Sequence, residues 1–237
     1  MLYAHGGGYM FGEPLQWIAS YERWIAKASS RGFDLVVVAV KYRLSTVAKF
    51  PACREDYLAV YCALLDEYRI PPQRIVFCGD SAGGGLVAMS ALHIKKTHMP
   101  PPSSLVLISP WLDLTLNETL ESPATMTDFL ITFKDVNPGI VQSLLPPGIR
   151  PDDPQVSPLF DDLSSLPPQL LFAGTAEVLL PDSVSWVRKS EEAGNKISFV
   201  RGKGEMHTYA MGWPICSSSI EGETDRKLLD FLQQSLV

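Results

Sequence analysis

The sequence has no apolar run long enough to span a bilayer. Its opening residues, Met1-Leu2-Tyr3-Ala4, lack the charged and apolar regions of a secretory leader. These absences favour a cytoplasmic location. Basic residues are not in excess: the net charge is −6, a poor match for a nucleic-acid partner. Four cysteines, Cys53, Cys62, Cys78 and Cys216, form no CxxC pair and no His/Cys metal spacing. They read as buried free thiols, which fits a reducing compartment. Neither G-x-G-x-x-G nor G-x-x-x-x-G-K-[ST] occurs, so no phosphate-cradling loop is evident, and no cofactor or metal is expected.

What is present is an alternation. Short apolar runs at Leu2–Ala4, Leu35–Val40, Ile75–Cys78, Leu105–Ile108, Leu170–Ala173 and Ile197–Val200 mostly show no polar interruption. Such runs suit strands buried on both faces of a parallel sheet. Helical patterns lie between them at Trp17–Ser30, Cys53–Tyr68, Ala82–Lys96 and Asp182–Ala193, and a last one closes the chain at Glu221–Leu236. Strand–helix alternation over 237 residues predicts one α/β domain with a mostly parallel sheet and helices on both faces. The stretch Asp113–Pro168 breaks the pattern: it holds nine prolines and has weak periodicity. An interruption that long reads as a cap or lid inserted in the domain.

Gly79-Asp80-Ser81-Ala82-Gly83 follows one strand and precedes a helix. G-x-S-x-G in that setting lifts a serine hydroxyl out of a sharp turn, so Ser81 is a candidate nucleophile. The Ala82 N–H lies at the helix N-terminus, where it suits a developing oxyanion. His5-Gly6-Gly7-Gly8 follows another strand, and glycines there let backbone N–H groups approach the same charge. Gly7, Gly8 and Ala82 are the candidate oxyanion donors. His5 reads as a brace for this loop rather than a proton carrier.

A base must take the Ser81 proton. Of four histidines, His93 and His98 fall on or just after the helix behind Ser81 and read as surface residues. His207 lies beyond the last strand's carboxyl end, where sheet enzymes keep their chemistry. The acid that orients it comes from Gly174–Asp182. Glu177, at the strand's end, is the first candidate. Asp182 is the alternative, with capping of the following helix as its other reading. The chain order nucleophile, acid, base is that of α/β-hydrolases.

These residues resemble the hormone-sensitive-lipase family, the α/β-hydrolase-3 group of esterases. The match is carried by HGGGYMFG (His5–Gly12), KYRLSTVAKFPACRED (Lys41–Asp56), GDSAGGG (Gly79–Gly85), and Gly174–Asp182 with Glu205–His207. Ser109-Pro110-Trp111-Leu112-Asp113 is similar to a further family segment. The resemblance implies an α/β-hydrolase fold and hydrolysis of short- to medium-chain acyl esters through an acyl-enzyme on Ser81, with no cofactor. The family usually has Asp where Glu177 stands. Its members also carry an extended region before HGGG, so the resemblance implies a chain lacking the first two strands and part of the cap, with a sheet edge open to homo-oligomeric pairing. Two other activities fit the same scaffold. One is a ligand-binding protein without catalysis, as in the gibberellin receptors, which lack the catalytic histidine. The other is an acyltransferase using the same triad.

Overall fold

A computed structural model describes residues 1–128, 130–131, 138–212 and 214–236. Within them six strands form one sheet: β1 (Leu2–Ala4), β2 (Val38–Val40), β3 (Val76–Asp80), β4 (Ser104–Ile108), β5 (Gln169–Gly174) and β6 (Ile197–Gly202). The order is β2-β1-β3-β4-β5-β6 and every pairing is parallel. The helices are α1 (Ile18–Ser30), α2 (Ala52–Asp66), α3 (Ala82–Thr97), α4 (Asn117–Glu121), α5 (Pro138–Leu144), α6 (Leu180–Glu192) and α7 (Ser218–Ser235).

Strand periodicity divides the core into two layers. Leu2, Phe77, Leu105, Leu107 and Leu171 point to the face covered by α2, α3 and α6. Their neighbours Tyr3, Cys78, Val106 and Phe172 point to the other face, against Trp24 of α1 and Leu228, Leu229 and Leu232 of α7. Helix α3 is apolar on all sides and most of it is buried, as befits a helix between sheet and α2. Helices α1 and α7 are also joined by an ion cluster around the buried Asp225. The Asp225 carboxylate accepts from Arg23 Nε at 2.7 Å, Trp24 Nε1 at 2.8 Å and Lys27 Nζ at 2.5 Å.

One strand is shorter than the sequence predicts. Leu35–Val40 reads as a strand, but only Val38–Val40 pair. Val36 is exposed and meets the sheet only through its carbonyl, which accepts from the Met1 amino group at 2.8 Å. The stretch between β4 and β5 contains α4, α5 and single 3-10 turns at Pro123–Met126 and Pro158–Phe160 among its described residues. Residues 129 and 132–137 of the expected cap lie outside the described set.

Candidate active site

Strand β3 turns into α3 at Ser81, whose backbone takes φ 54°, ψ −122°. Few non-glycine residues adopt such angles, and they persist only where surroundings enforce them. Here the Ser81 N–H donates to Ile108 O, while Ser81 O accepts from Trp111 N and Gly85 N, all within 3.1 Å. The chain also passes itself too closely for side chains. A Cβ on Gly79 would lie 2.4 Å from Gly83 O, and one on Gly83 would lie 2.1 Å from Ala4 O. The flanking glycines are therefore what lets the turn form.

The glycine loop after β1 is fastened to this turn by Asp80. Its Oδ1 accepts from Tyr3 Oη at 2.7 Å and Gly6 N at 2.9 Å, and Oδ2 accepts from Trp17 Nε1 at 3.2 Å. Burial pushes the Asp80 carboxyl up to about 6, against the opposing pull of those three donors. Gly7 and Gly8 have φ of 120° and 60° and line the cavity in front of Ser81. His5 is buried, its Nδ1 lies 2.8 Å from Gly6 O, and its ring stacks on Tyr42 at 4.3 Å. This is the bracing role expected of it.

The loops that carry Glu177 and His207 follow adjacent strands β5 and β6 and are tied together largely by backbone N–H groups. Thr175 N donates to Gly202 O, Ala176 N to Glu205 O, and Gly204 N to Thr175 Oγ1. This places Glu177 Oε2 3.9 Å from His207 Nδ1, within ion-pair reach but longer than a hydrogen bond. Burial opposes charge on both groups. It raises the Glu177 carboxyl to about 8, with hydrogen bonds from Ser109 and Gly174 pulling the other way, and it lowers His207 to about 3. A Glu177 carboxylate at that distance would favour the imidazolium and so counter the burial of the ring. Asp182 lies elsewhere. It is in the first turn of α6, whose N-cap is Leu179, and its Oδ2 accepts from Leu112 N at 2.8 Å and Asp113 N at 3.0 Å. The capping reading of Asp182 is thus corrected: the carboxylate turns away from its own helix to fasten the segment after β4. Burial raises it to about 7.

Ser81 and His207 open on one cavity of about 310 Å³. Trp111, Leu116, Ile131, Ile140 and Leu179 supply apolar walls. No group of His, Cys, Asp and Glu able to hold a metal occurs among the described residues.

Residues 1–211 match the protein family described as alpha/beta hydrolase fold. The chain belongs to this family. The α/β-hydrolase is 34% identical over 211 residues to an esterase of Acinetobacter venetianus, a match spanning 89% of this chain and 67% of the relative. It is 31% identical over 215 residues to an acetyl-hydrolase of Streptomyces hygroscopicus, spanning 91% and 69%. Among solved structures, a bacterial esterase of the hormone-sensitive lipase family superimposes with a TM-score of 0.89 at 30% identity, over 100% of this chain and 76% of that one. A hormone-sensitive lipase from a metagenome library gives 0.87 at 31%, with the same coverage.

Three residues of this α/β-hydrolase escaped the sequence reading as site residues. Asp80 sits inside the nucleophile motif, and Ser109 opens the Ser-Pro-Trp segment after β4, so each had a positional signal. Asp128 had none. Its buried carboxylate accepts from Leu130 N at 3.0 Å and Ile131 N at 3.2 Å within its own stretch, and reaches out of it to accept from Val178 N, just after Glu177, at 3.1 Å.

Proposed function

We propose that this α/β-hydrolase is a serine carboxylic-ester hydrolase for short- to medium-chain acyl esters, with Ser81, Glu177 and His207 as its triad. The observation that carries this reading is the convergence of Ser81, His207 and the Gly7–Gly8 backbone on one apolar cavity. Ser81 Oγ attacks the ester carbonyl while His207 takes its proton. The resulting oxyanion is held by the N–H groups of Gly7, Gly8 and Ala82, and the imidazolium by Glu177. His207 then protonates the departing alcohol. Water, activated by the same imidazole, releases the acyl group from Ser81. At about 310 Å³ the cavity is near the lower end of ligand pockets, which span roughly 300–1,000 Å³, and this supports short acyl chains. Residues 113–168 serve as its cap, since Leu116, Ile131 and Ile140 come from that stretch.

No helix among the described residues is long and apolar enough to cross a membrane. The four cysteines are free thiols, which supports a reducing, cytoplasmic setting. Hydrolysis of p-nitrophenyl butyrate and labelling by a fluorophosphonate probe test the proposal. Both should vanish in Ser81→Ala. Turnover that persists in that variant refutes it, and a wild-type protein that binds esters without turnover or labelling identifies a binding protein instead. Ester exchange dominating over hydrolysis when an alcohol is added would mark an acyltransferase.

A further inference from the structure

Ser109 occupies a position that no part of the proposed reaction yet requires. It follows β4 with φ 46°, a left-handed conformation unfavourable for a side-chain-bearing residue, and it is fully buried. Its backbone is held there by a 2.7 Å hydrogen bond from Ser109 N to Phe172 O. Glycine would meet the same backbone demand with less strain, so the hydroxyl is the feature to explain.

That hydroxyl joins both halves of the acid–base pair. Thr208 N donates to Ser109 Oγ at 3.0 Å, and Ser109 Oγ donates to Glu177 Oε2 at 2.6 Å. A backbone N–H can only donate, so the serine's own proton is free to point at the carboxylate. Glu177 Oε2 also accepts from Gly174 N at 3.1 Å, whereas Glu177 Oε1 and His207 Nδ1 have no hydrogen-bond partner among the described residues. We infer that Ser109 is a positioning residue of the acid–base pair. Its hydroxyl pins Glu177 Oε2 to the backbone beside His207, 3.9 Å from the imidazole Nδ1, and leaves Oε1 as the oxygen that can turn about this pivot. The inference rests on the triad assignment above and adds to it the group that sets the acid's orientation and ionisation. The other titratable groups facing Glu177 are Asp128 from the cap stretch, Asp182 on α6, and His207 and Tyr209 after β6. None of them is a lysine or arginine, so neutral donors must hold the charge.

Ser109→Gly is the decisive variant, because it removes the hydroxyl while suiting the backbone. It should melt no lower than Ser109→Ala. Its kcat should fall about tenfold with KM nearly unchanged, and the acid limb of its kcat/KM profile should move up by about one pH unit, the worth of one hydrogen bond to a charged group. A purely structural serine would leave that limb in place. The infrared carbonyl band of protonated Glu177, assigned by its loss in Glu177→Gln, gives a readout independent of turnover, and it should persist to higher pH in Ser109→Gly. An unshifted band together with wild-type kcat overturns the role of Ser109. Hydrolysis that survives in Ser81→Ala overturns the esterase reading instead, and the infrared titration still decides whether Ser109 controls Glu177.

Discussion

Two carboxylates compete for the role of triad acid, and their surroundings predict opposite responses to the smallest possible change. Glu177→Gln removes the charge 3.9 Å from His207 Nδ1 while keeping an oxygen for Ser109 and Gly174. At an effective dielectric constant of about 20, a unit charge at that distance is worth about 4 kcal/mol to the imidazolium. That corresponds to about a 10³-fold loss of rate, and loss of the correct tautomer extends it toward about 10⁴-fold. Asp182→Asn also removes one charge. However, a single oxygen of Asp182 accepts both Leu112 N and Asp113 N, and an amide oxygen can take its place. The expected outcome is activity within about threefold of wild type. Burial holds the Asp182 carboxyl at about 7, so removing its charge should leave Tm at pH 8 unchanged or higher. Initial rates on p-nitrophenyl butyrate and melting curves at pH 8 measure both. Equal collapse of the two variants, or collapse of Asp182→Asn alone, would refute the assignment of Glu177.

Activity and stability should respond to pH in opposite directions. Glu177 is raised to about 8 when folded, against 4.5 as a free side chain, so the native state keeps a proton that the unfolded state has released. The unfolding free energy of wild type relative to Glu177→Gln should therefore fall as pH rises from 5 to 8, by up to about 1.4 kcal/mol per unit. Over the same range kcat/KM should rise, and a flat Tm difference would contradict the burial argument. In Gly83→Ala the new Cβ would sit 2.1 Å from Ala4 O and 2.5 Å from His5 O, both backbone atoms. A loss of about 3 kcal/mol is expected, lowering Tm by roughly 6–12 °C, and an unchanged Tm would show that the turn has slack. Leu116, buried with φ 63°, lines both the cavity in front of Ser81 and a second, mostly apolar cavity of about 540 Å³. Leu116→Ala should join the two and raise the decanoate-to-butyrate ratio of kcat/KM several-fold, and an unchanged ratio would mean that the second cavity is not reached.

The sheet was legible because its strands are buried on both faces and therefore spell continuous apolar runs. All six runs became strands, although of Leu35–Val40 only Val38–Val40 pair. The turn at Ser81 was legible because close backbone passage demands glycine at 79 and 83, and glycine is visible in a sequence. The choice between Glu177 and Asp182 was legible only as a preference for Glu177, from its place at the strand's end. The two stand five positions apart across the start of α6, and only the fold turns one toward His207 and the other toward Leu112. Asp128 was illegible for a different reason. Its carboxylate accepts from backbone N–H groups at Leu130, Ile131 and Val178, and a backbone donor leaves no mark on residue identity.

The buried carboxylates of the site share a further property, which bears on why the acid is held as it is. Asp80 is met by Tyr3, Gly6 and Trp17, Glu177 by Ser109 and Gly174, and Asp182 by Leu112 and Asp113. Every one of these donors is neutral. A lysine or arginine beside Glu177 would stabilise its charge more strongly, but equally before and during the reaction. It would also weaken the field that Glu177 presents to His207. Neutral donors leave the acid under-compensated at rest, with its carboxyl raised to about 8. Under the proposed mechanism the cation that an ionised Glu177 lacks arrives only when His207 takes the Ser81 proton. An interaction that strengthens at that moment lowers the barrier, whereas one present throughout does not. The burial that raises the carboxyl and lowers the imidazole also strengthens the attraction between ionised Glu177 and the imidazolium, so the pair counts for most when Glu177 has already lost its proton.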